Sequence, residues 1–146
     1  MSSLKQLLKK YDVPAPRYTS YPTVPYWENS PNTEEWIGEL KKAAAAPATT
    51  WAMYVHLPFC ETLCTFCGCN TTITRNHSKE SIYIEQVLKE FDLYLQQVPQ
   101  LAHLPLRQFH YGGGTPTFFS AEHLAELTDR LLERVRLDPK HFDGSI

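Results

Sequence analysis

An α/β fold with parallel strands is what this sequence predicts, and three observations carry the prediction. From residue 51 onward, stretches alternating apolar and polar residues take turns with stretches whose apolar residues recur at helical spacing. Each alternating stretch is separated from the next by enough chain to hold a helix, which parallel strands need and hairpins do not. The cysteines and glycines that could do chemistry lie in loops just after the strand-like stretches, where α/β folds place their sites. Right-handed crossovers then follow for each strand–helix–strand unit.

In order, residues 4–10 ("LKQLLKK") suit one or two helical turns. Residues 13–27 ("VPAPRYTSYPTVPYW") combine Pro14, Pro16, Pro22 and Pro25 with Tyr18, Tyr21, Tyr26 and Trp27. Proline at that density blocks both helix and central strand, so an extended arm is expected, its aromatics lying on the domain or over a substrate. A helix is expected from Asn32 to Ala46, with Asn32 as cap, Glu35 reaching back, and Trp36, Ile37, Leu40 and Ala44 as the apolar stripe. Trp51 to Leu57 reads as a strand with Met53, Val55 and Leu57 on one face and Tyr54 and His56 on the other. After the cysteine-rich loop, a long helix from Ser78 to Gln97 is striped by Ile84, Val87, Leu88, Phe91 and Leu95. A loop from Pro99 to Pro105 leads to a strand, Arg107 to Tyr111, with Phe109 and Tyr111 facing one way and Gln108 and His110 the other. Ser120 caps a helix expected to run to Arg136, and "FDGSI" reads as a third strand beginning. A sheet that stops there is unfinished. The expectation is an N-terminal piece of a longer protein, unstable or aggregating alone because apolar faces and strand edges lie open.

Composition narrows the class. Lys plus Arg is 14 against 16 for Asp plus Glu, a formal net charge of −2 that offers nothing to nucleic acid or an anionic membrane. The N-terminus lacks the apolar core of a signal peptide, and no apolar run is long enough to span a bilayer. The expected compartment is the cytoplasm, where clustered cysteines point to metal or catalysis rather than disulfides.

All four cysteines lie in residues 56–70, "HLPFCETLCTFCGCN": Cys60, Cys64, Cys67 and Cys69. A structural zinc site usually draws two cysteine pairs from separated segments, and this single tight loop suits it poorly. Short cysteine loops do hold iron–sulfur clusters. The C-x3-C-x2-C spacing of Cys60, Cys64 and Cys67, with Phe66 before the third cysteine, resembles the radical S-adenosylmethionine signature. After the second strand comes "YGGGTPT", residues 111–117. It has neither the lysine of a P-loop nor the spacing of a dinucleotide fingerprint, but its glycines let a ligand approach the backbone.

Taken together, "PRYTSYPT", "YVHLPFCETLCTFCGCN", "TR" at Thr74–Arg75 and "HYGGGTPT" resemble the oxygen-independent coproporphyrinogen III oxidase family of radical S-adenosylmethionine enzymes. The likeness runs from Val13 to Ile146 and would cover about the first third of a typical member. It implies residues 1–50 as arm and helix, and 51–146 as the first portion of a (β/α) barrel. It implies a 4Fe–4S cluster on Cys60, Cys64 and Cys67, one iron being left open for S-adenosylmethionine. Cys69 is then a free thiol beside the cluster, and the resemblance marks it as a candidate catalytic residue. Two S-adenosylmethionine molecules are implied, one at Tyr54 and Gly113, the second at Phe66, Gly114 and Thr115. An acidic residue on the third strand would lie just past Ile146.

The implied reaction is anaerobic oxidation of coproporphyrinogen III to protoporphyrinogen IX in haem synthesis. A 5′-deoxyadenosyl radical takes a β-hydrogen from each of two propionates, and loss of carbon dioxide and an electron leaves vinyl groups. Partners would be the porphyrinogen and an electron donor and acceptor; the fragment itself would be inactive. A haem-chaperone-like relative, argued against by Cys69, and a zinc domain are the alternatives. His56 faces the barrel interior, either as a catalytic group or as a histidine satisfied by the backbone. Gln108 and His110 share that parity, and Arg75 is either a surface charge or a contact for a propionate.

Overall fold

The computed structural model describes residues 4–12, 26–28 and 31–146. The proline- and aromatic-rich arm expected over residues 13–27 falls almost wholly outside the described residues. The chain divides into two compact units, residues 1–32 and 33–146. The first contains α1 (Leu4–Tyr11), a short helix with Lys9 and Lys10 in its last turn, where cations suit the helix dipole.

The second unit opens with α2 (Thr33–Ala44). Its stripe packs through Ile37, Leu40 and Ala44 onto Val98 and Leu101. Then come β1 (Trp51–Leu57), β2 (Phe59–Cys60), β3 (Thr72–Ile73), α3 (Lys79–Gln97), β4 (Pro105–Gly113), α4 (Ala121–Leu132), β5 (Arg136–Leu137) and β6 (Asp143–Ser145). Every strand pairing is parallel: β1 with β4, β4 with β5 and with β6, and β2 with β3. β4 is therefore central, with β1 on one edge and the two short strands sharing the other.

Alternation decides which face is covered. Met53, Val55 and Leu57 of β1 join Leu106, Phe109 and Tyr111 of β4 in the core. Ile84, Leu88 and Phe91 of α3 and Leu127 and Leu131 of α4 close over them. Tyr54, Gln108 and His110 lie exposed and His56 half-buried, all on the opposite face. The register slips between Trp51 and Ala52: Trp51 faces Leu106, but Ala52 faces Gln108. Arg107 is the extra residue of this bulge, so Leu106 and Phe109 point the same way despite their odd spacing.

Several element ends differ from the sequence reading, α2 among them, which closes at Ala44 rather than Ala46. β4 is longer than Arg107–Tyr111 at both ends. α4 stops at Leu132 rather than reaching Arg136. Val135 still packs on the core, so the apolar stripe was a sound signal of burial. The backbone leaves the helix because β5 pairs with Pro105–Leu106, satisfying edge groups of β4 that a continued helix would leave open. Ser120 does cap α4, its Oγ accepting from the His123 N–H at 3.1 Å. Among the described residues, no helix is long and apolar enough to cross a membrane.

Candidate functional site

The cysteine loop is bolted at both ends. β2 and β3 pair across it, and the N–H groups of Thr72 and Thr74 donate to the carbonyls of Pro58 (2.7 Å) and Cys60 (2.8 Å). Between these bolts, residues 61–70 are exposed, and all four cysteines are free thiols. Cys60 is half-buried at the end of β2, whereas Cys64, Cys67 and Cys69 face solvent. Cys64 and Cys67 bracket a turn closed by the Cys67 N–H on the Cys64 carbonyl at 3.1 Å. The Cys69 N–H lies 3.4 Å from the Cys67 Sγ. A hydrogen bond with Cys67, and then the charge there, hold the Cys69 thiol above its ordinary value, with slight burial and Cys60 adding to this.

The glycine-rich loop packs directly on this clip. The Gly114 and Thr115 N–H groups donate to the carbonyls of Leu57 (2.9 Å) and Phe59 (3.0 Å). Thr115 Oγ1 sits 3.3 Å from Cys60 Sγ. Gly113 has φ +116°, open to glycine and strained for other residues, and a Cβ there would lie 2.8 Å from the Leu57 carbonyl oxygen. A Cβ on Gly114 would lie 2.8 Å from Cys60 Sγ. Only glycine lets the second loop come this close to the first cysteine.

Beside them stands a small aromatic group. Tyr54 is 57% exposed, and its hydroxyl lies 3.1 Å from His56 Nδ1. His56 Nε2 lies 2.8 Å from the Asn70 carbonyl oxygen, which can only accept. Nε2 therefore carries the proton and donates, and Nδ1 accepts from Tyr54. This makes His56 a strut between β1 and the far end of the cysteine loop. The Tyr54 ring also lies 5.7 Å from that of His110, whose Nδ1 meets Ser145 Oγ at 2.8 Å. Phe66, at the tip of the cysteine loop, is 88% exposed.

Tyr54, His56, Cys60, Gly113, Gly114 and Thr115 thus converge at the C-terminal ends of β1 and β4, while Phe66, Cys64, Cys67 and Cys69 ride on the adjoining loop. Gln108 lies further down β4 beside Asp143, and Arg75 is exposed just after β3. Among the described residues, no three His, Cys, Asp or Glu side chains gather closely enough to hold one metal ion. A soft, three-thiol donor set on one short loop, with a glycine cradle against its first sulfur, fits an iron–sulfur cluster, which its ligands surround at wider spacing.

The sequence reading passed over Glu80, which is 2% exposed. A signal was present: Glu80 lies four residues before Ile84 and eight before Leu88, on the buried stripe of α3. A carboxylate on an apolar stripe needs partners, and Glu80 has them. His77 Nδ1 lies 2.6 Å from its Oε1, and the Ser120 N–H (2.9 Å) and His123 Nδ1 (2.6 Å) meet its Oε2. Burial pushes the Glu80 carboxyl up, but the Ser120 N–H, His123 and His77 outweigh it and hold it below its ordinary value.

No family model matches the chain. Among curated proteins it is 38% identical over 125 residues to the oxygen-independent coproporphyrinogen III oxidase of Mannheimia haemolytica, covering 86% of this chain and 82% of that protein. It is 38% identical to the Salmonella typhimurium protein of the same name, covering 94% of this chain but 31% of that one. The Pseudomonas aeruginosa protein of that name is 32% identical, with 90% of this chain and 28% of that one covered. Among solved structures, coproporphyrinogen III oxidase of Escherichia coli, described as a radical SAM enzyme, superposes with a TM-score of 0.74 at 29% identity, covering 97% of this chain and 30% of that one. The chain therefore spans under a third of most of these relatives and most of one.

Proposed function

This chain belongs to the oxygen-independent coproporphyrinogen III oxidase family, and on that premise we propose that it carries the cofactor site of a radical S-adenosylmethionine oxidoreductase of haem synthesis. In this reading residues 51–146 are the first portion of the barrel, and 1–50 an arm and helix ahead of it. Cys60, Cys64 and Cys67 would hold a 4Fe–4S cluster, with Cys69 left as a free thiol. When bound, the cluster supplies one electron to S-adenosylmethionine, whose cleavage provides the hydrogen-abstracting radical. Tyr54 and Gly113 would receive the S-adenosylmethionine on the cluster, and Phe66, Gly114 and Thr115 a second molecule.

The protein's own residues have structural tasks here. His56, locked as the Nε2–H form, presents the Tyr54 hydroxyl and ring at the strand ends. Gly113 and Gly114 keep side-chain bulk out of the space between the two loops. The substrate proposed is coproporphyrinogen III, decarboxylated at two propionates to vinyl groups, with an electron donor and acceptor as partners. The compartment proposed is the cytoplasm.

The observation that carries the reading is the packing of the glycine loop on the cysteine clip, with Thr115 Oγ1 3.3 Å from Cys60 Sγ. It is tested by anaerobic reconstitution with iron and sulfide. Cys60→Ser, Cys64→Ser and Cys67→Ser should each lose the cluster's absorbance and its reduced electron paramagnetic resonance signal. Cys69→Ser should keep both. Cluster loss in Cys69→Ser, or retention in Cys60→Ser, sinks the assignment.

A further inference from the structure

One charged network outside the cofactor residues joins the cysteine loop to the start of α4, just past the glycine-rich loop. Glu80 is buried in the first turn of α3, and its two oxygens serve different directions. Oε1 receives His77 Nδ1, and the other ring nitrogen of His77 lies 3.3 Å from Glu61 Oε1. Glu61 is the residue after Cys60, inside the clip. A carboxylate oxygen thus faces each ring nitrogen, an arrangement that favours the protonated ring and raises the His77 pKa. Its ring also stacks on Phe118, with centroids 4.3 Å apart and planes 12° from parallel.

Oε2 receives the Ser120 N–H and His123 Nδ1. Ser120 begins α4, just after the glycine loop and its short helical turn Pro116–Phe118. Phe118 in turn meets Phe59, next to Cys60, with ring centroids 5.4 Å apart. One buried carboxylate is thus tied to the cysteine loop through His77 and Glu61, and to the exit of the glycine loop through Ser120 and His123. A core position filled by an apolar residue would give neither tie.

We infer that Glu80 is a positioning residue of the cofactor site, setting the spacing between the cysteine loop and the glycine-rich loop and hence the affinity for S-adenosylmethionine. This rests on the function proposed above. A purely structural role would cost stability without regard to the cofactor. A positioning role lowers affinity at equal stability.

The experiment titrates S-adenosylmethionine into the anaerobically reconstituted chain and follows the change in the reduced cluster's electron paramagnetic resonance spectrum. Glu80→Gln keeps the shape but puts an NH2 where an acceptor is needed. It should retain iron and weaken S-adenosylmethionine about tenfold or more, the size seen when outer-shell partners of metal sites are removed. Leu127→Ala, in the same core but outside the network, should lower the melting temperature and leave the affinity near that of the parent. His77→Phe preserves the stack on Phe118, cuts the link to Glu61 at a half-exposed site, and should weaken binding in the same direction. It serves as the deciding variant if Glu80→Gln does not fold. Parent-like affinity in a folded Glu80→Gln or in His77→Phe overturns the inference, as does equal weakening in Leu127→Ala. A parent chain that takes up no cluster, or whose cluster ignores S-adenosylmethionine, overturns the functional reading itself and the inference with it.

Discussion

Gly114→Ala tests the contact between the two loops most directly. The added Cβ would sit 2.8 Å from Cys60 Sγ, 2.8 Å from the Pro58 carbonyl oxygen and 2.9 Å from that of Phe59. The thiol could swing aside, but the carbonyls are held: Pro58 accepts from the Thr72 N–H and Phe59 from the Thr115 N–H. Relief therefore means shifting the loop and straining one of those bonds. Overpacking of this kind costs about 1–3 kcal/mol. For a chain of this size each kcal/mol lowers the melting temperature by about 2–4 °C, so a drop of about 2–12 °C is expected. Calorimetry of the iron-free chain reads that drop, and iron content after reconstitution should fall as well, because Cys60 is displaced. Gly38→Ala is the matched control. It lies within α2, and a Cβ added there would meet nothing within 4 Å, so alanine should stabilise by up to about 1 kcal/mol. If Gly114→Ala melts with the parent while Gly38→Ala gains, the close approach of the loops is wrong.

The Glu80 network predicts a stability optimum in pH. Glu80 is held below its ordinary value of 4.5, so its contribution is present above that pH and is lost as acid passes its folded value. His77 is raised above 6.5, first by its bond to Glu80 and also by Glu61, with burial opposing. Its contribution is complete below 6.5 and is lost as pH rises through the folded value. Melting temperature against pH should therefore peak between these limits, and Glu80→Gln should flatten the acid limb. An unchanged acid limb would refute the pairing. Tyr83→Phe removes a 2.7 Å hydrogen bond from the Tyr83 hydroxyl to the His56 carbonyl. It should cost about 1 kcal/mol in urea unfolding, and no loss would show that the bond contributes nothing.

The covered layer was legible in sequence because it obeys two short periods. Met53, Val55 and Leu57 alternate, and Ile84, Leu88 and Phe91 recur on one helix face. The spacing of the cysteines singled out the loop that packs at the strand ends. What escaped depends on contacts between distant residues. β2 and β3 have two residues each and no period to read. The bulge at Arg107 is set by pairing with β1, which no local pattern reports. Glu80 meets Ser120 and His123 across some forty residues of chain. Only its misplaced charge on an apolar stripe hinted that partners existed.

The two bolts of the cysteine loop have a consequence for how metal is taken up. Because β2 and β3 hold its ends together, most of the entropy of closing that loop is lost when the chain folds, before any iron arrives. Under the cluster assignment proposed above, the thiolates would then act as one multidentate chelator rather than as independent ligands, each bond raising the effective concentration of the next. Metal capture by such a chelator is steep. Loosening one bolt by Thr72→Pro or Thr74→Pro, which removes the donating N–H and touches no sulfur, should weaken every bond to iron at once if the cluster sits on Cys60, Cys64 and Cys67 as proposed.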